Sequence, residues 1–302
     1  MFVNSATKGL NIDLFNADIS LHSNIPKEYY NMKDHNFGDW EIPPWELFIF
    51  KDKLIGQGSF SKVYLAKWRE TFVVAKVLDP EFIRIKKDVV MREFDIMSKL
   101  HHPNIVQFLG YINEPFIIVL EYIPKLDLMS NIKSLNKKQK ISITKDILRG
   151  LIYIHNRKPH TLIHRDIKPT NILLTNSKVA KITDFGLSKF YNLKIVHSND
   201  NLVGLERRDN YIDLTNNVGT ERYMAPEIIQ SQEYDSKSDI YSCAILLYEL
   251  FENKRYIPGT KLSWYWCPKY LHEIIHNHML CDDKNLRYDA LNVLKLINRV
   301  YP

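Results

Sequence analysis

The sequence predicts an α+β fold in two lobes, a strand-rich lobe followed by a larger, mainly helical one. Three observations carry this. Residues 48–78 form valine- and aromatic-rich runs with the alternation of strands, broken by a glycine-bearing turn. Beyond them the apolar residues recur every three or four positions, the spacing of helices. At 302 residues the chain can hold one large domain or two tightly joined lobes.

Residues 1–39 are polar and weakly patterned, and are expected to be an extension ordered at most in part. Trp40 and Trp45 follow, rings large enough that they should pack on a domain surface. Strands are predicted over 48–55, 63–68 and 71–78. Next comes a helix with Val89, Glu93, Met97 and Leu100 along one face, where the acid requires a cation. Strands at 106–112 and 116–122 complete a five-stranded antiparallel sheet with one helix, a first lobe of about residues 40–122. From 123 to 302 the pattern predicts helices at 126–135, 142–156 and 238–251, short strands at 172–174 and 179–182, and further helices in the last third. The cleft between two such lobes, joined near 121–124, is the natural ligand site.

Composition narrows the function classes. Hydrophobic residues make up 45% and charged residues 25%, as in ordinary soluble globular proteins. No apolar run approaches the roughly 18 residues of a membrane span. The first 21 residues include Asp13 and Asp18 and lack a basic opening, so no secretory signal is expected and the cytoplasm is the expected location, with nuclear entry open. Cys243, Cys267 and Cys281 are too few and too far apart for a disulfide framework or a zinc site and are expected to be buried. The net charge of +6 is dispersed rather than clustered, and nucleic acid is not an expected partner.

Gly56-Gln57-Gly58-Ser59-Phe60-Ser61-Lys62-Val63 lies between two strands, where glycines let backbone N–H groups approach phosphate oxygens. A plain hairpin needs glycine too. The stretch is neither a Walker A motif nor a dinucleotide fingerprint, because a strand rather than a helix follows. Lys76, after Val73-Val74-Ala75, could reach solvent along its own stem. Glu93 on the inward helical stripe offers the alternative: if the two pair, the lysine is fixed to hold the α- and β-phosphates of a nucleotide.

His164-Arg165-Asp166-Ile167-Lys168-Pro169-Thr170-Asn171 and Asp184-Phe185-Gly186 carry the remaining chemistry. Asp166 can accept the proton of an attacking hydroxyl, Lys168 can neutralise a transferring phosphoryl group, and the Asn171 amide oxygen and Asp184 carboxylate can ligate Mg2+. Any one of these could be a solvated loop residue; their joint order is specific.

At these residues, and at Ala225-Pro226-Glu227, the chain resembles the eukaryotic protein kinases from about residue 40 to 300. The resemblance implies ATP with Mg2+, or Mn2+ in its place, and a protein substrate. It places Gly56, Gly58 and Ser61 over the phosphates and adenine between Val63 and Val74 on one side and Leu173 on the other. Adenine hydrogen bonds fall to the backbone of Glu121 and Ile123, with Leu120 as the gatekeeper. It also implies a regulatory stack of Phe108, Met97, Phe185 and His164, a buried brace at Asp239, an Arg287 to Glu227 pair, and Thr220 contacting Asp166 and Lys168.

Lys168 and Gly219-Thr220-Glu221-Arg222-Tyr223-Met224 resemble serine/threonine enzymes, and Trp40-Glu41-Ile42 and Trp68-Arg69-Glu70-Thr71 resemble the tyrosine-kinase-like group related to the mixed-lineage and Raf kinases. The activation segment, residues 184–227, contains Ser198, Tyr211 and Thr215, which an upstream kinase or the chain itself could phosphorylate near Arg165. A pseudokinase or ATP-binding scaffold is the alternative, and small-molecule phosphotransfer does not fit residues 220–227. The chain departs from the family at Ser61, Val74 and Ala244, in Tyr288 after Arg287, and in an abbreviated stretch around 254–268.

Overall fold

A computed structural model describes residues 40–58, 60–124, 127–158, 161–186, 189–191, 221–230, 232 and 234–302; the side chains at 86–89, 92, 93 and 189–191 are outside the described set. The extension before Trp40, Thr220 and the hydroxyls Ser198, Tyr211 and Thr215 therefore lie outside the described residues. What is described divides in sequence between Tyr122 and Ile123 into two units, with residues 102–105 belonging to the second.

The first unit contains β1 (Leu47–Gln57), β2 (Ser61–Trp68), β3 (Thr71–Leu78), α1 (Pro80–Ser98), β4 (Phe108–Ile112) and β5 (Ile117–Glu121). The strands form the expected antiparallel sheet, in the order β1-β2-β3-β5-β4. Strand alternation sorts side chains between its faces. Ala66, Val73, Ala75, Ile117 and Val119 join Ile42, Leu47, Ile49 and Ile112 in one core cluster. Asp79 opens α1 by accepting the Glu81 N–H, with Pro80 in the first turn. The helix ends at Ser98, so Leu100 lies past it rather than on its stripe, yet is buried.

Trp40 and Ile42 close the β4 edge. The Ile42 N–H donates to the Tyr111 carbonyl at 2.7 Å, and the Tyr111 N–H to that of Trp40 at 2.9 Å. The Trp40 ring packs 5.5 Å from Phe108 and stacks on His101, the surface packing expected of it.

The second unit contains α2 (Leu128–Asn131), α3 (Lys137–His155), β6 (Thr161–Ile163), β7 (Ile172–Leu174), β8 (Ala180–Ile182), β9 (Lys189–Tyr191), α4 (Pro226–Ile229), α5 (Lys237–Glu252), α6 (Lys269–His278) and α7 (Ala290–Val300). β6 pairs with β9 and β7 with β8; β7 and β8 are the predicted strands, whereas β6 and β9 were not predicted. The helix expected over 126–135 is a single α-turn capped by Asp127, then a 3-10 turn at Ile132–Ser134. α3 starts five residues ahead of the predicted 142, because Asn136 and Gln139 form a reciprocal capping box before the apolar stripe begins. Of the cysteines, Cys243 is buried as expected, whereas Cys267 and Cys281 are only half-buried. No described helix is long and apolar enough to cross a membrane.

Arg287 is 1% exposed and forks onto Glu227 with two hydrogen bonds of 2.7 Å, the pair expected from the resemblance. The Tyr288 N–H that follows donates to the His278 carbonyl at 2.8 Å while its ring stacks on His278, a bond that a proline there could not make.

A Cβ at Gly110 would lie 2.7 Å from the Trp40 carbonyl oxygen and 2.8 Å from Ile42 side-chain carbons. Gly110→Ala is expected to destabilise the protein by about 1–3 kcal/mol, read from urea unfolding, by prising the Trp40 segment off the sheet edge.

Candidate active site

In the first unit, Val63 pairs with Lys76 across β2 and β3, and Lys76 with Ile118 across β3 and β5. Residues directly opposite in a ladder share a face, so Val63 and Lys76 stand on the same face as the pair Val74 and Leu120, two positions along. The Glu121 N–H donates to the Gln107 carbonyl at 2.9 Å and its carboxylate accepts the Gln107 N–H at 2.7 Å. Of that peptide unit, the N–H is therefore already engaged.

The turn after β1 is tight. The Gly58 N–H donates to the Ser61 carbonyl at 2.9 Å, and a Cβ on Gly58 would come within 3.2 Å of Ser61 Oγ. Phe60 stacks on Phe82 at 4.3 Å and its carbonyl accepts the Asp79 N–H, which ties the turn to the start of α1. Glu93 lies within α1, but its side chain is outside the described set, so the expected pair with Lys76 stays an expectation.

In the second unit the loop after β6 is held from below by one residue. Asp239, fully buried in the first turn of α5, accepts the N–H groups of His164 and Arg165 at 2.9 Å each and His155 Nε2 at 2.8 Å. Burial alone would raise this carboxyl; the His155 hydrogen bond and charge and the backbone donor at His164 outweigh it and hold the group below its ordinary range. Arg165 adopts φ 70° and lays its guanidinium 5.5 Å over the Tyr234 ring, so the cation expected to await a phosphate already has an aromatic partner. His164 Nδ1 accepts the Asp166 N–H at 3.2 Å, which places the ring proton on Nε2 facing the Thr183 carbonyl at 3.1 Å.

Asp166, 6% exposed, receives Asn171 Nδ2 at 2.7 Å and Lys168 Nζ at 2.8 Å on the same oxygen, Oδ2. Its Oδ1 is buried and receives no hydrogen bond among the described residues. Burial pushes this carboxyl up from its ordinary range, partly countered by Lys168 and reinforced by Asp184. Because Asn171 turns its amide nitrogen to Asp166, its amide oxygen is left as the acceptor. The Thr183 N–H donates to the Asn171 carbonyl at 3.0 Å, joining the two loops.

Asp184 is exposed with φ 66°, a left-handed conformation uncommon outside glycine and one that places a carboxylate where the backbone turns sharply. Phe185 beside it is buried and meets His164 edge-on at 4.8 Å, the half of the expected stack that belongs to this unit. Ile123 and Leu173 are described, Ile123 buried and Leu173 half-buried. His155 was not legible as part of the site; it lies 84 positions from Asp239, and a histidine in the last turn of an amphipathic helix gives no signal by itself.

No group of three or more His, Cys, Asp or Glu that could cage a metal occurs among the described residues. One carboxylate and one amide oxygen, with substrate phosphates completing the sphere, is the donor set Mg2+ commonly takes, so Asp184 and Asn171 fit it.

The protein kinase domain family matches residues 50–297 of this chain. The chain is 39% identical to serine/threonine-protein kinase VIK of Arabidopsis thaliana over 225 residues, 72% of this chain and 48% of that protein. It is 35% identical to serine/threonine-protein kinase 12 of the same plant, covering 72% and 45%, and 33% identical to serine/threonine-protein kinase CTR1, covering 70% and 25%. It thus spans about half the length of the first two and a quarter of the third.

Opposite pH signatures follow for the two aspartates. A carboxyl depressed on folding stabilises the protein above its unfolded value, here near 3.8, and that contribution is lost as pH falls through the folded value. Asp239→Asn should therefore cost about 3–5 kcal/mol at pH 7 in urea unfolding, with the penalty shrinking only below about pH 4. A raised carboxyl opposes folding at neutral pH, so Asp166→Asn should melt at or above the wild-type temperature at pH 7.5, with the gap closing toward pH 4.

Proposed function

The chain belongs to the protein kinase family, and from that premise we propose that it is a serine/threonine protein kinase moving the γ-phosphoryl group of ATP to a protein hydroxyl. The observation that carries the assignment is Asp166, whose buried Oδ1 is an acceptor awaiting a donor while Oδ2 is fixed by Asn171 and Lys168. A substrate serine or threonine O–H supplies that donor. The hydroxyl oxygen bonds to the γ-phosphorus as the bond to the β–γ bridging oxygen breaks, and its proton passes to Asp166, whose raised carboxyl suits it to receive one.

Lys168 lies beside the same carboxylate and offsets charge on the transferring group. Asp184 and Asn171 are assigned to Mg2+, or to Mn2+ in its place. The metal, when bound, neutralises phosphate charge. Lys76 is assigned to the α- and β-phosphates with Glu93 as its positioning partner, and Gly56, Gly58 and Ser61 to the phosphate turn. Val63, Val74, Leu120 and Leu173 are assigned to adenine, with the carbonyl of Glu121 and the N–H of Ile123 as its hydrogen-bonding groups. Thr220 is assigned to the contact with Asp166 and Lys168. Joint retention of Lys76, Glu93, Asp166, Asn171 and Asp184 argues against a non-catalytic ATP-binding scaffold. The relatives' names as serine/threonine-protein kinases support a serine or threonine acceptor. Phosphorylation within residues 184–227, by the chain itself or an upstream kinase, is assigned to regulation, and the cytoplasm, with nuclear entry, to location.

Incubation with labelled MgATP and a degenerate serine/threonine/tyrosine peptide library tests this. Label is expected on serine and threonine, reduced at least about a hundredfold by Lys76→Met and by Asp166→Asn. Equal labelling by wild type and both variants, or label confined to tyrosine, would overturn the assignment.

A further inference from the structure

The end of α5 and the turn after α2 enclose a groove of about 430 Å³, lined in part by Met129, Ile132, Lys133, Glu249, Lys254 and Arg255. We propose that this groove binds anionic side chains flanking the acceptor hydroxyl, so that the substrates are acidic or already phosphorylated segments. The proposal rests on the kinase reading and narrows its substrate class.

Three cations and a single carboxylate face the groove, and the carboxylate is not available to a ligand. Glu249 is 1% exposed, with Oε2 accepting the Tyr223 hydroxyl at 2.7 Å and Oε1 the Tyr256 N–H at 2.9 Å, while Arg222 Nη1 stands 3.9 Å away. A substrate arginine or lysine would find that acid already satisfied. Lys133, Lys254 and Arg255 are exposed, and Lys254 is steadied over the rings of Tyr248 and Tyr265 at 5.5 and 5.4 Å. Scattered surface lysines usually signify nothing. Here the cations converge on one concavity whose low-dielectric walls focus their field.

The groove is joined to the peptide segment by the same acid. Tyr223 and Arg222 belong to the 3-10 turn Glu221–Tyr223, which runs into Ala225-Pro226-Glu227, the stretch that the kinase resemblance gives to the substrate peptide. Arg222 Nη1, 3.9 Å from Glu249 Oε1, adds a cation beside that acid and further satisfies its charge.

The test uses the full chain and peptides sharing one acceptor serine, with glutamate, glutamine, arginine or phosphoserine flanks. Transfer is read as kcat/KM, and binding without ATP by fluorescence anisotropy. Wild type is expected to favour the glutamate over the glutamine peptide roughly fivefold, with arginine poorest, and the preference should collapse in about 0.5 M salt. Lys133→Glu with Arg255→Glu should reverse the order, and Lys133→Gln with Arg255→Gln should flatten it, thermal melting confirming that each variant folds. A phosphoserine peptide ahead of glutamate supports the groove and names a dianion as its ligand; parity between the two supports it with the carboxylate as ligand. Equal use of glutamate and glutamine peptides, or an arginine preference, by active enzyme overturns the proposal while leaving the kinase reading intact. Glutamate binding that is lost in the reversed variant, with no transfer to any peptide, sinks the kinase reading and leaves the groove.

Discussion

A single buried carboxylate sets the terms for the catalytic loop. Asp239 has no contact with solvent, a position that is costly for a charge unless donors surround it. It meets that requirement with two successive backbone N–H groups and one imidazole, and those backbone groups belong to His164 and Arg165, the residues immediately before Asp166. The burial of the acid and the placement of the loop are therefore one arrangement. With the backbone pinned, Asp166 can be held buried in a geometry where one oxygen is tied to Asn171 and Lys168 and the other is left for a donor.

The same helix serves three segments. Its first turn holds the loop through Asp239. Its last two turns carry Glu249, which takes Tyr223 and Tyr256, and Glu252, which accepts three consecutive N–H groups from Tyr265, Trp266 and Cys267. The abbreviated stretch after α5 has no helix or strand before α6, and these hydrogen bonds to side chains give its backbone partners that a ladder would otherwise supply. The Arg287 to Glu227 fork completes the frame from the C-terminal side, fixing the start of α4.

Much of this was legible in the sequence because it rests on period and type. Val73 and Ala75 alternate with Val74 and Lys76, and that alternation alone separates the core face of β3 from its other face. The spacing of Asp166, Lys168 and Asn171 announced a cluster, and the three do converge on one carboxylate oxygen. Boundaries were less legible where polar caps extend a helix past its apolar stripe, as at Asn136, or where a helix stops short of a residue that is buried anyway, as at Leu100. Long-range partners left no periodic trace, and Arg287 with Glu227 was reached only through the family resemblance. Neither His155 with Asp239 nor Tyr223 with Glu249 has a periodic signature, since each pair is made by the fold bringing distant turns together.

The three Glu252 hydrogen bonds have a corollary. Loop 265–267 hangs from the far end of α5, about three and a half helical turns from the acid that fixes the loop before Asp166, so residues can be deleted or inserted between Tyr256 and Tyr265, beyond the helix, without strain reaching Asp239. This part of the surface can thus change in length and sequence while the backbone ahead of Asp166 keeps its place.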